Sequence, residues 1–124
     1  MVLVIEEEPL VLQVLTTALR IGGFNVLTAQ TDSMAEQLFH AHASTLCLVI
    51  VNISPEMWGV AFVQSLPNLT PRIPILFITG LGDVQIEHVL RANDPVLYKP
   101  FAMPHFLEAV ATVIEGNTGA SPRQ

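Results

Sequence analysis

The sequence predicts an α/β fold in which a five-stranded, doubly wound parallel sheet is covered by helices on both faces. Three observations lead there. Short apolar runs at Val2–Ile5, Val26–Ala29, 46–51, Ile75–Thr79 and Val96–Tyr98 alternate with helix-like segments, the signature of β-α-β units. The central runs are apolar at nearly every position, as strands buried on both sides must be. The hydrophobic share is 51% against 13% charged residues, so the interior is well supplied and some apolar side chains must lie outside.

Each element carries its own signals. The first helix starts with Pro9 in its first turn, places Val11, Val14, Leu15, Ala18 and Leu19 on its inner face, and stops at Gly22-Gly23. The second begins near Asp32 and Ser33, with Glu36 three residues after Ser33 in a capping-box pattern, and buries Ala35, Leu38 and Phe39. A short third helix is expected over 60–66, before Pro67. A fourth opens at Asp83, with Ile86, Val89 and Leu90 on one face. The fifth opens at Pro104, turns Phe106, Leu107, Val110, Val113 and Ile114 inward, and stops at Gly116. Length predicts one domain, residues 1–116, followed by a polar, disordered tail at 117–124.

Composition excludes several classes of function. Five Lys and Arg against eleven Asp and Glu give a net charge of −6, which repels nucleic-acid backbones and anionic lipid surfaces. No apolar run approaches the roughly 20 residues that cross a bilayer, so a soluble, cytoplasmic protein is expected. Cys47, the single cysteine, has no partner for an internal disulfide and is expected to be a small core residue. His40 and His42 lie two apart, the wrong spacing for a metal site on one helical face. No glycine-rich phosphate loop follows the first strand, where Glu6, Glu7 and Glu8 stand instead and would repel a nucleotide.

Ligands of doubly wound sheets sit beyond the carboxyl ends of the strands, and Glu6, Glu7, Asn52, Thr79 and Lys99 all fall at such ends. The segments that hold them are Val2-Leu-Val-Ile-Glu-Glu-Glu-Pro-Leu-Val11, Leu48-Val-Ile-Val-Asn-Ile-Ser-Pro55, Pro74-Ile-Leu-Phe-Ile-Thr-Gly80 and Tyr98-Lys-Pro-Phe101. In their order and intervals they resemble the receiver domains of bacterial two-component response regulators, over nearly the whole chain. The resemblance implies strand order 2-1-3-4-5 and a cis Lys99-Pro100 bond. It also implies one site in which two acids and a phosphorylatable aspartate hold magnesium, while a hydroxyl and a lysine contact the phosphate.

Against that pattern the set is incomplete. Asn52 stands at the phosphoacceptor position, and an amide is not a nucleophile at neutral pH. Glu6 and Glu7 form the acidic pocket, but Glu7 adds a methylene where the family usually has a metal-binding aspartate. The metal set of Glu7, Asn52 and Ser54 is therefore vestigial, and no cofactor beyond weak magnesium is expected. Lys99 is free to pair with Glu6 or Glu7 and donate to the Asn52 carbonyl. Thr79 and Lys99 keep the phosphate-contact positions, while Val96 takes the place of the switch aromatic and Tyr98 lies on the face opposite the lysine.

The expected role is binding rather than catalysis: a stand-alone receiver-like protein in a phosphorelay, acting on a histidine kinase, phosphotransfer protein or regulator without being phosphorylated. Leu12, Ile21 and Trp58 are the candidate partner surface, and a homodimer is left open. Leu10, Val14, Thr17 and Ile21 recur at helical spacing on the first helix, either as ordinary surface residues or as a docking stripe. The alternatives are a receiver phosphorylated on another carboxylate and a flavodoxin-like enzyme.

Overall fold

The computed structural model describes residues 1–53, 62–63, 73–80 and 95–117. In chain order they form β1 (Val2–Ile5), α1 (Pro9–Ile21), β2 (Val26–Ala29), α2 (Asp32–His42), β3 (Leu48–Ile53), β4 (Ile75–Thr79), β5 (Val96–Tyr98) and α3 (Met103–Asn117). All strands pair in parallel in the order β2-β1-β3-β4-β5, as the sequence predicts. The helix expected at 60–66 is described only at Phe62 and Val63, which are helical and buried. The helix expected from Asp83 and the tail at 118–124 lie outside the described residues.

The strands divide their side chains between two cores by simple alternation. Leu3, Ile5, Val49, Val51, Ile75 and Phe77 join Ala35 and Phe39 of α2, together with Phe62 and Val63, on one face. Val2, Val4, Leu48, Ile50, Leu76 and Ile78 join Leu15, Ala18 and Leu19 of α1 and Phe106 and Val110 of α3 on the other. Every residue of β1, β3 and β4 is buried, which is why those runs are continuously apolar rather than alternating.

Four local readings shift. β3 runs Leu48–Ile53 rather than 46–51, because its register with β1 begins at Val2 opposite Leu48 and its register with β4 carries on to Ile53 opposite Thr79. Cys47 thus precedes the strand, half-buried, and its Sγ donates to the Met1 carbonyl at 3.4 Å. The cap of α2 is Thr31, in extended conformation, whose hydroxyl accepts from the Met34 amide at 3.1 Å; the Ser33 and Glu36 box is displaced because Ser33 is already inside the helix. Helix α3 continues past Gly116 to Asn117.

Helix α1 keeps both of its predicted ends. Pro9 occupies the first turn, where its missing N–H has no helical partner to lose. At the other end Gly23 adopts φ +94°, the amide of Phe24 donates to the Leu19 carbonyl and that of Gly23 to the Arg20 carbonyl, a complete Schellman stop. Its inner face is Leu15, Thr16, Ala18 and Leu19. Thr16 is accommodated because its hydroxyl donates to the Gln13 carbonyl at 3.1 Å. Two expectations are corrected: Val14 is 51% exposed rather than inward, and Leu12 is half-buried against the α1–α3 core rather than free on the surface.

Truncating Ile50→Ala in the middle of the sheet is expected to lower unfolding free energy by about 2–5 kcal/mol. Ile21→Ala, at a residue 80% exposed, should change it by no more than about 0.5 kcal/mol. Urea unfolding of the two variants beside the parent checks the contrast.

Candidate functional site

The register of β1 against β3 builds the site. Val2 pairs with Leu48 and Ile5 with Val51, so the next residues on the two strands, Glu6 and Asn52, lie side by side at the carboxyl end of the sheet. By alternation both belong to the α1–α3 side. Neither reaches solvent to any extent: Glu6 is 3% and Asn52 5% exposed.

A buried carboxylate must find donors, and Glu6 has two. The Asn52 amide Nδ2 donates to Glu6 Oε1. The Glu8 amide, at the N-cap of α1, donates to Glu6 Oε2 at 2.9 Å, placing the negative charge at the positive end of the helix. This role of the Glu8 backbone is absent from the sequence reading, although an acid two residues before the N-cap of a helix that opens with proline is placed to bond locally to the backbone. The Glu6 contact also orients the Asn52 amide, since the reverse orientation would set its carbonyl against a carboxylate oxygen. Asn52 Oδ1 is left buried with no hydrogen-bond partner.

The other predicted site residues are arranged around this pair. Thr79 is fully buried, and its hydroxyl donates to the Ile53 carbonyl at 3.3 Å, one residue beyond Asn52. The Lys99 amide donates to the Thr79 carbonyl at 2.9 Å, and the Lys99-Pro100 bond is cis. Glu7 and the Lys99 side chain are exposed. The proposed Lys99 contacts are corrected: the Asn52 carbonyl accepts nothing, and among the described residues no ion pair ties Lys99 to Glu6 or Glu7. The amide of Asn52 satisfies Glu6 at shorter reach than an exposed lysine can. Val96 is half-buried against the α2-side core, opposite Phe77, while Tyr98 is 43% exposed. Ser54 and Trp58 lie outside the described residues.

The sheet order, this site and the sequence together decide the family: residues 2–111 match the response regulator receiver domain. The chain belongs to that family. It is 27% identical over 122 residues to the transcriptional regulatory protein KdpE of Mycobacterium tuberculosis, covering 98% of this chain and 54% of that protein. It is 34% identical over 110 residues to a probable transcriptional regulator, ycf27, of Galdieria sulphuraria, covering 87% and 42%. The chain thus spans about half the length of these relatives. Among solved structures, a receiver domain protein from Clostridium thermocellum superposes with a TM-score of 0.81 at 24% identity, covering 94% of this chain and 95% of that one. A CheX–CheY–BeF3–magnesium complex from Borrelia burgdorferi gives 0.79 at 21% identity, covering 90% and 87%. These likenesses show the fold.

Receivers are signalling modules of two-component systems that interact with histidine kinases and other signalling proteins, and they bind magnesium at the phosphorylation site. The residues of this receiver do not fit that ion as arranged. Magnesium takes near-octahedral oxygen ligands and favours carboxylates. Among the described residues both oxygens of the buried carboxylate already accept N–H donors, Glu7 faces solvent, and the side-chain oxygen of Asn52 is a neutral amide carbonyl. No described helix is long and apolar enough to cross a membrane.

Replacing Asn52→Ala removes one donor from a buried carboxylate, and an expected loss of about 1–3 kcal/mol follows. Asn52→Asp at neutral pH sets two carboxylates in contact, so its melting temperature should fall below the parent's and rise again with added magnesium. Thermal unfolding with and without the ion measures both effects.

Proposed function

We propose that this receiver acts by binding another protein of a two-component pathway without being phosphorylated itself. The observation that carries the reading is that Asn52 presents an amide hydrogen-bonded to Glu6 at the carboxyl end of β3, where the family's aspartate takes a phosphoryl group. The amide nitrogen is delocalised into its carbonyl, so Asn52 has no oxygen nucleophile to offer. The engagement of Glu6 supports at most weak magnesium affinity, because the ion would have to displace two hydrogen bonds to gain one carboxylate.

The readout departs in the same direction. Val96 packs half-buried against the core, and a β-branched aliphatic side chain cannot swing in or out as an aromatic switch residue does. Thr79 and the Lys99 backbone remain tied to the sheet end by hydrogen bonds, which gives them a structural use here. A receiver without input or switch must present its binding face permanently. Ile21 and its neighbours on α1 supply an exposed apolar one. The partner class is a histidine kinase, a phosphotransfer protein or a regulator, and the named relatives are transcriptional regulators.

Incubation with acetyl phosphate and magnesium is expected to leave the intact mass unchanged, whereas a single phosphoryl adduct on the parent would sink the reading. The double variant Asn52→Asp with Glu7→Asp should gain that adduct, its new carboxylate oxygen bonding to phosphorus as acetate leaves. It should also titrate with magnesium in calorimetry, and an identical heat response in parent and variant would show that these two positions do not account for the difference.

A further inference from the structure

Helix α1 turns one face to the core and another to solvent, and the outer face is built in an unusual way. Leu10 is 72% exposed, Val14 51% and Ile21 80%, with Thr17 also exposed between them. Beside them lies an open apolar groove of about 660 Å³, walled by Val14, Thr17 and Ile21 of α1 and by Met103, Pro104 and Leu107 of α3. Projecting side chains and a recess therefore share one surface. Among the described residues no ionised side chain lines the groove, and Arg20 is the only charged residue of α1.

We propose that this face pairs with the same face of a second copy of the chain, α1 lying antiparallel to α1 across a two-fold axis between Val14 and Thr17. This names the occupant of the permanent face and rests on that reading of α1, but not on the phosphorylation state.

Two features select a second copy over a different chain. The first is spacing. Leu10, Val14, Thr17 and Ile21 are separated by four, three and four residues, the interval of a helix-pairing seam. That order reads the same in both directions, so a two-fold sets Leu10 against Ile21 and Val14 against Thr17. An isologous interface requires such self-complementarity.

The second is charge. A chain of net charge −6 repels its own copy wherever ionised surfaces meet, and least over an uncharged face. The same two-fold carries Arg20 to the level of residue 11 on the second helix. At about 100° per residue the flank that faces it there carries Pro9 and Gln13, so Arg20, the one ionised side chain of α1, meets no like charge on the second helix. Along α1 the centre of the face is uncharged and its flanks bring no like charges together.

Sedimentation velocity of the intact protein, from dilute to concentrated solution, should show the mass rising toward twice the monomer, with Val14→Glu and Ile21→Glu shifting the midpoint roughly tenfold or more at unchanged melting temperature. In a Cys47→Ser background, Leu10→Cys and Ile21→Cys proteins mixed together should form a disulfide under mild oxidation. Either alone should not, since like positions would lie about 16 Å apart along the axis, beyond the roughly 7 Å reach of a disulfide. A parent that stays at monomer mass throughout, or a dimer indifferent to these substitutions, overturns the pairing and leaves the face to a different chain. That outcome does not touch the phosphorylation reading, which the acetyl phosphate experiment decides separately.

Discussion

The parallel pairing of β1 with both β2 and β3 is the constraint on which the rest of this receiver depends. A strand buried on both faces and paired on both edges leaves no backbone group for water to satisfy, so its register is held against slippage by hydrogen bonds and by two hydrophobic cores at once. A slip of one residue would exchange the Leu3 and Ile5 face with the Val2 and Val4 face and would part Glu6 from Asn52. The geometry of the site is thus a consequence of how the apolar run packs several residues away.

What occupies the end of that register then decides the chemistry. A carboxylate at Asn52 would meet Glu6 as like charge against like charge, a pairing that needs a cation to hold it. An amide turns the same contact into a hydrogen bond, and the buried acid is satisfied by the protein alone. The amide nitrogen of Asn52 thus meets Glu6 as a donor, a contact that needs no cation to offset like charge. The unpartnered Asn52 Oδ1 is the residual cost of that arrangement.

Helix α1 links the site to the surface. Its N-cap amide, from Glu8, supports Glu6, its inner face closes one core, and its outer face stays apolar and open. Among the described residues, three of the five exposed large apolar side chains, Leu10, Val14 and Ile21, share this face, while Met34 and Tyr98 lie elsewhere. The Schellman stop at Gly22 and Gly23 matters for the same reason, because it ends the helix with Ile21 still presented outward.

The strands, their order, both ends of α1, the cis bond and the placement of Glu6, Asn52, Thr79 and Lys99 at one end of the sheet were legible in the sequence. Continuous apolar runs, Pro9, the Gly22-Gly23 pair and four motifs in family order each have a local physical meaning that survives folding. Three things were decided only by tertiary structure. Leu12 and Val14 exchanged expected roles because the buried arc of α1 centres on Leu15 and Leu19, three and seven residues after Leu12, while Val14 falls with the exposed Leu10 and Ile21. Thr31 capped α2 in place of Ser33 because the chain leaving β2 arrives already extended. Glu6 took the Asn52 amide and the Glu8 backbone as partners instead of Lys99, because a buried acid bonds to the donors that register and helix start bring within reach. Sequence lists the charges that could meet, and only the folded backbone sets the distances between them.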